Sequence, residues 1–136
     1  MKQEELTQRI IGVFYSVYNE LGHGFLESVY EQAMILSLQE AGLKVDTQVA
    51  VPVWFHGKRI GDFRADIVVN QLVLLELKAI AKLEASQEAQ LLNYLRATDF
   101  EIGLLLNFGP KAEIKRRILD NDRKPLRVAV KQASQT

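Results

Sequence analysis

The sequence predicts an α/β protein in which helices flank a central β-sheet. Two amphipathic helical stripes open the chain, and β-branched, alternating segments follow them. A short, almost wholly apolar run near residue 105 is typical of a strand buried on both faces. With 136 residues, the chain is long enough for one domain with a single sizeable core.

The helices are predicted from apolar residues spaced three and four positions apart. The first helix covers residues 4–21, and a second covers residues 25–41 and stops at Gly42. A third follows the first group of strands, at residues 84–98. The helices therefore precede and interrupt the strands, as an α/β fold requires.

The strands are predicted from alternation and from turn residues. The first two meet at His56-Gly57, and the next pair is joined around Asn70-Gln71. The alternation of Ala112 and Ile114 favours a strand in the last segment, where a helix is the alternative. Five strands are predicted, at residues 43–55, 59–69, 72–79, 101–107 and 111–119.

Composition excludes several classes of protein. Seventeen basic residues balance seventeen acidic ones, so no strong overall field would draw the chain to nucleic acid or to an anionic membrane. There is no cysteine, which removes disulfides, thiolate metal sites and cysteine nucleophiles. No apolar run approaches the about 18 residues of a membrane span, and the first five residues are too polar for a signal peptide. We expect a cytoplasmic protein that does not bind membranes.

The most informative residues are three charged side chains on two neighbouring strands. Glu76 and Lys78 share one face of their strand because side chains alternate. Asp66 joins that face only if the strands are connected by three residues or a bulge, not by two. In that register the Cα atoms of Asp66 and Glu76 lie about 4.5–5.5 Å apart, so both carboxylates could hold one divalent cation.

The alternative for these residues is an exposed hairpin whose charges are solvated. Residues 72–80 are otherwise almost wholly apolar, however, so Glu76 and Lys78 interrupt what resembles a central, covered strand. Unpaired charge is costly there. A bound metal or a buried pair would offset that cost.

These residues resemble the PD-(D/E)xK nuclease superfamily. Asp66 followed by Glu76-Leu77-Lys78 matches its signature, and Gly24-Phe25-Leu26-Glu27-Ser28-Val29-Tyr30 matches the motif of its GxxExxY branch. Ala65 replaces the proline of the superfamily's name, at a position that varies within the fold. The resemblance runs from about residue 4 to about residue 118. It implies a restriction-endonuclease-like core with a mixed central sheet flanked by helices.

The resemblance also implies roles for individual residues. Asp66, Glu76 and the backbone carbonyl of Leu77 would be ligands of Mg²⁺ or Mn²⁺, and Lys78 would position the attacking water and stabilise developing charge. Glu27 would complete the acidic cluster, directly or through water; its alternative is an ordinary acidic residue in the first turn of a helix. The expected catalytic residues are therefore Glu27, Asp66, Glu76 and Lys78.

Three further residues are expected near the site. Tyr30 follows Glu27 by three positions and would orient it, while a tyrosine that only packs is the alternative. Gln90 and Tyr94 form a polar stripe that resembles the Q-x-x-x-Y motif of the helicase-associated exonuclease branch. We expect these three residues to contact substrate or to support those that do; a solvated helix face is the alternative for the last two.

The predicted partner is nucleic acid. Residues 111–136 contain eight basic and three acidic residues, and we expect Lys115, Arg116 and Arg117 to bind the substrate. The domain would span residues 1–119, with a polar and basic C-terminal extension at residues 120–136. The small, neutral chain is compatible with a homodimer.

The leading functional hypothesis is a metal-dependent nuclease, hence an enzyme, that hydrolyses phosphodiester bonds of DNA or RNA. The alternative is a non-catalytic module that binds nucleic acid or protein on a nuclease-like scaffold. The intact set of Asp66, Glu76 and Lys78 favours the enzyme, because two converging carboxylates would repel phosphate in a pure binding protein.

Overall fold

The structure, a computed structural model, describes residues 2–124. The predicted extension at residues 120–136 therefore falls outside the described residues from position 125 onward. A short 3₁₀ turn at Asn121–Arg123 ends the described part of the chain. The helices and strands of this part are α1 Glu4–Leu21, α2 Glu27–Glu40, β1 Val45–Phe55, β2 Lys58–Val69, β3 Val73–Lys78, α3 Ala85–Ala97, β4 Ile102–Phe108 and β5 Ala112–Ile118.

The strands form one mixed sheet in the order β1-β2-β3-β4-β5. Neighbouring strands are antiparallel except β3 and β4, which are parallel and are joined by the crossover helix α3. The last segment, for which a helix was the alternative, is strand β5 and pairs with β4. The predicted mixed central sheet flanked by helices is confirmed, and β3 lies at its centre.

The sheet separates two apolar cores. Helices α1 and α2 cover one face, where Phe14 and Tyr30 are fully buried against β3 and β4 residues. Helix α3 covers the other face and places Leu91 against Leu74 and Leu105. Side chains of β3 are buried on both faces because they alternate between the two cores. Charged groups on this strand therefore lie in a largely desolvated environment.

The hairpin between β2 and β3 has the register that a shared face for Asp66 and Glu76 requires. Its pairs are Val69 with Val73, Val68 with Leu74 and Ile67 with Leu75, so the connecting loop has three residues. Asn70 and Gln71 in this loop adopt left-handed φ angles of 51° and 58°, and the Asn70 side chain accepts a hydrogen bond from the Lys44 N–H at 2.9 Å. The next pair in this register would be Asp66 opposite Glu76.

Strands β1 and β2 extend well beyond the rest of the sheet. β3 pairs only with Ile67 to Val69 of β2, whereas β1 pairs with β2 almost to the turn. We call residues 50–64, which form the projecting end of this hairpin, the β1–β2 arm. A register shift beside Val53 and Trp54 bends the arm near its tip. Within residues 2–124, no helix is long and apolar enough to cross a membrane.

Candidate active site

The candidate site lies where β2 separates from β3. The ladder between the two strands ends at Ile67 and Leu75, and beyond it the Asp66 carboxylate accepts the N–H of Leu77 at 2.8 Å. The N–H and C=O of one strand residue leave the strand toward the same neighbour. The carbonyl of Leu77 therefore faces the same gap as its N–H, on the side of Asp66.

Glu76 is buried in this gap and lacks a complete set of partners. The residue is 8% exposed, and among the described residues its Oε1 atom has no hydrogen-bond partner. Burial, and after it the negative charge of Asp66, raise the pKa of the Glu76 carboxyl to about 8, while the charge of Lys78 opposes the shift. A cation placed here would relieve the repulsion and give the free oxygen a partner.

Lys78 and Glu27 complete the charged cluster. Lys78 is half-buried at the end of β3, and its positive charge opposes the rise in the pKa of both glutamates. Glu27 is the first residue of α2. Partial burial raises the pKa of its carboxyl; Lys78 opposes this shift, while the charges of Asp66 and Glu31 add to it. The structure thus brings the four expected catalytic residues into one electrostatic cluster.

The side chains present fit a magnesium or manganese ion held mainly by Asp66 and Glu76. Within residues 2–124, no three histidine or acidic side chains converge as a metal-binding group, so Glu27 does not join the pair at ligand distance. Mg²⁺ commonly binds one or two carboxylates and completes its shell with water and substrate phosphate. The pair, the carbonyl of Leu77 and the unpartnered Glu76 oxygen match this donor set.

Tyr30 lies in the core rather than at the substrate surface. It is fully buried, it stacks on Phe108 with a centroid distance of 4.3 Å, and its hydroxyl donates to the Gly22 carbonyl at 2.6 Å. The same hydroxyl accepts the Phe25 N–H at 3.2 Å. Tyr30 was expected either to contact substrate or to support residues that do, and its buried position is compatible with the supporting role. Tyr30 fixes the loop that leads into α2 and thereby positions Glu27.

Helix α3 presents Tyr94 to the site on the face of the sheet that Glu76 shares with Leu74. Its ring stacks on Phe63 of the β1–β2 arm, with centroids 3.6 Å apart and planes 7° apart. Burial raises the pKa of the Tyr94 hydroxyl, with further contributions from the charges of Glu76 and Asp66, while a hydrogen bond from Gln90 lowers it. Gln90 is exposed and is linked to the site by its interaction with Tyr94.

The structure does not bring Lys115, Arg116 and Arg117 together on one surface. Lys115 pairs across from Leu105, which belongs to the core under α3, whereas Arg116 pairs across from Leu104 in the opposite core. The Arg116 guanidinium donates to the Lys2 carbonyl at 2.9 Å. Arg117 forms an ion pair with Glu88 of α3. Alternation along β5 separates the three charges, and two of them have partners within the protein.

Sequence reasoning missed the group that fixes the chain after Lys78. Asn107 is fully buried; its Oδ1 accepts the Ile80 N–H at 2.9 Å, and its Nδ2 donates to the Ile80 carbonyl at 3.0 Å. The carboxylate of Glu113 accepts hydrogen bonds from Asn107 Nδ2 and from the Leu83 N–H, both at 3.0 Å. A Cβ on Gly109 would lie 2.3 Å from the Ile80 carbonyl oxygen. The one available signal was a polar residue ending an apolar strand.

Comparison with known families agrees with this geometry. A family model for the PD-(D/E)XK nuclease superfamily matches residues 4–117. The chain therefore belongs to this superfamily. A search of curated proteins finds no match.

Solved structures show the same fold. The crystal structure of SSO0001 superposes with a TM-score of 0.54 at 14% sequence identity, covering 79% of this chain and 57% of the other. The chain thus spans little more than half the length of SSO0001, and a likeness at this identity shows the fold alone. Together with the family match, it identifies the architecture as restriction-endonuclease-like.

Proposed function

We propose that this protein is a divalent-metal-dependent nuclease of the GxxExxY branch that hydrolyses phosphodiester bonds of DNA or RNA. One observation carries the proposal. Asp66 and Glu76 converge at the separated end of β2 and β3, where Glu76 is buried with one unpartnered oxygen. Membership of the nuclease superfamily supports the same activity.

Each residue has a role that its position allows. Asp66, Glu76 and the Leu77 carbonyl would hold Mg²⁺ or Mn²⁺, and Glu27 would act through water. The ion would supply charge stabilisation at the phosphate and a more acidic water. The ammonium of Lys78 donates hydrogen bonds to a phosphate oxygen or to the attacking water. Tyr94, held by Gln90 and Phe63, borders the acidic pair and limits where the nucleic acid can lie.

The test is cleavage of labelled DNA and RNA, single- and double-stranded, in Mg²⁺, Mn²⁺ or EDTA. We expect cleavage of at least one substrate with a metal and none in EDTA. Glu76→Gln should abolish it, whereas Glu40→Gln, on the exposed end of α2, should not. Tight binding without cleavage under all conditions would reject the nuclease and support the non-catalytic module.

A further inference from the structure

The acidic site raises the question of what attracts a polyanion to it. The negative charges of Glu27, Asp66 and Glu76 interact with one another. Lys78 is the positively charged side chain that opposes the rise in the pKa of the two glutamates. The chain has no net charge, so no overall field offsets their repulsion of phosphate. The cluster expected for this purpose, Lys115 to Arg117, is divided between two faces.

The β1–β2 arm carries the charge that the site lacks. Residues 50–64 contain three basic residues and one acidic residue. Arg59 pairs with Asp62 at 2.9 Å within the arm, which leaves the charges of Lys58 and Arg64 as its surplus. Both of these residues are exposed. Since Asp66 follows Arg64 by two residues, strand β2 of the arm continues directly into Asp66, one member of the acidic pair.

The two surplus charges of the arm lie on opposite faces of the sheet, because the bulge near the tip interrupts the alternation between Lys58 and Arg64. Val51 and Ala65 belong to the core under α3, so the alternating Arg64 lies on the other face. There, the Arg64 guanidinium donates to the Gln48 carbonyl at 3.1 Å, and the Gln48 side chain donates to Glu31 of α2 at 2.8 Å.

Phe55 alternates with Val51 on the α3 face, and Lys58 pairs across from Phe55, so the tip lies on that face. Glu76 shares the same face, because it alternates with Leu74 of the α3 core. A strand of nucleic acid lying along the α3 face would lead from the tip to the acidic pair.

The tip of the arm adds an aromatic surface. Phe55 is 47% exposed, and its ring stacks on His56 at a centroid distance of 3.9 Å and an angle of 15°. Lys58 pairs directly across from Phe55. A cation beside exposed flat rings is the combination that binds the phosphates and bases of nucleic acid.

We propose that the β1–β2 arm is a nucleic-acid-binding element that holds the phosphodiester backbone of the substrate at a distance from the scissile bond. This inference rests on the proposed function, and in it the arm attracts the substrate to the proposed active site. Lys58 and Asp66 are eight residues apart on β2, which at about 3.3 Å per residue is about 26 Å. At about 3.4 Å per nucleotide, the tip contacts the strand about eight nucleotides from the site.

Matched charge reversals at the tip and at the base of the β1–β2 hairpin test the arm. Lys58→Glu changes the tip, and Lys44→Glu changes an exposed lysine just before β1 by the same charge. Binding of fluorescent 6-nucleotide and 30-nucleotide strands, and of a 30-base-pair duplex, is measured in EDTA over a range of salt concentrations. Thermal unfolding of each variant shows that it is folded.

We expect Lys58→Glu to weaken binding of the long strand or the duplex at least fivefold at low salt. The slope of log affinity against log salt should fall by about 0.7–0.9 for each phosphate that the variant no longer neutralises. Lys44→Glu should change affinity less than twofold, and the 6-nucleotide strand should not distinguish the variants. The strand and duplex measurements identify which form the arm holds.

The results separate this inference from the nuclease proposal. Equal binding by the two variants would overturn the arm, even if the wild type cleaves, and so would the absence of binding to every probe. If no metal supports cleavage while Lys58→Glu selectively weakens binding, the arm is a nucleic-acid-binding element but the nuclease proposal is rejected.

Discussion

The side-chain amide of Asn107 binds both the N–H and the C=O of Ile80, two residues after Lys78. Asn107 also lies beside Lys78 in the parallel register of β3 and β4. Because β3 ends at Lys78, the N–H and C=O of Ile80 have no strand partner, and the Asn107 side chain supplies their hydrogen bonds instead. The direction of the chain after Lys78, and with it the position of the lysine, therefore depends on Asn107.

Asn107→Ala should lower the free energy of unfolding by about 2–4 kcal/mol, because it leaves buried backbone groups without partners. Cleavage should fall with it, since the segment that follows Lys78 is then no longer held in place. The matched control is Asn93→Ala, on the exposed side of α3, which should change stability by less than about 0.5 kcal/mol. Denaturant unfolding checks the prediction, and equal stability of the two variants would contradict it.

The raised pKa of Glu76 should make metal-free stability depend on pH. The folded protein binds this proton up to pH about 8, whereas the unfolded chain releases it near the ordinary value of 4.5. The folded state therefore holds more protons between these values, and its free energy of unfolding should fall as pH rises across them. At pH 8, Glu76→Gln should be more stable than the wild type by about 2–4 kcal/mol.

Urea unfolding in EDTA at several pH values measures this effect. Glu40→Gln is the control, because Glu40 is exposed at the end of α2. A wild type and a Glu76→Gln variant with parallel pH profiles would show that the Glu76 carboxyl is not desolvated.

Mg²⁺ or Mn²⁺ should raise the melting temperature of the wild type, since a ligand that binds only the folded state stabilises it. At 100 times the dissociation constant, the gain of about 2.7 kcal/mol corresponds to about 5–10 °C. Glu76→Ala should abolish the increase, and Glu40→Ala should retain it. An increase that persists when Asp66 and Glu76 are both replaced with alanine would place the ion elsewhere.

Lys78→Ala should reduce cleavage by about 10²–10³-fold, because it removes a donor aimed at developing charge. The thermal shift with Mn²⁺ should persist, since a protonated lysine is not a metal ligand. Single-turnover cleavage and thermal unfolding of the same preparation measure the two effects. Lys44→Ala, distant on the chain from the site, should leave both unchanged. Loss of the Mn²⁺ shift in Lys78→Ala would show that the lysine acts on the metal site itself.

Local patterns predicted the sheet and the hairpin register because both depend on nearby residues. Alternation identified β5, and the charged residues of the hairpin required a loop of three residues, which the structure contains. The same alternation already implies that Lys115, Arg116 and Arg117 cannot share one face of a strand. Their separation could therefore have been predicted, and grouping them by adjacency alone was misleading.

Other features depend on contacts between distant segments and have no local signal. The gap at Asp66 arises because β2 follows β1 away from β3, which depends on the length of the arm. Glu113 binds an N–H thirty residues away, at Leu83. Tyr30 is buried because the Gly22 carbonyl and Phe108 meet there. Pairings of this kind become visible only when the chain is folded.

The length of the three-residue loop between β2 and β3 determines whether Asp66 and Glu76 share one face of the sheet. Deleting one of its residues would leave Asp66, Glu76 and Lys78 in the sequence, and the signature would still be recognised. Yet a shift of one position would turn the aspartate to the opposite face from its partner glutamate. Whether this loop has an odd or an even number of residues is thus as much a part of the signature as the charged residues. Searches for related proteins can use the loop length to separate sites that could bind a metal from chance matches.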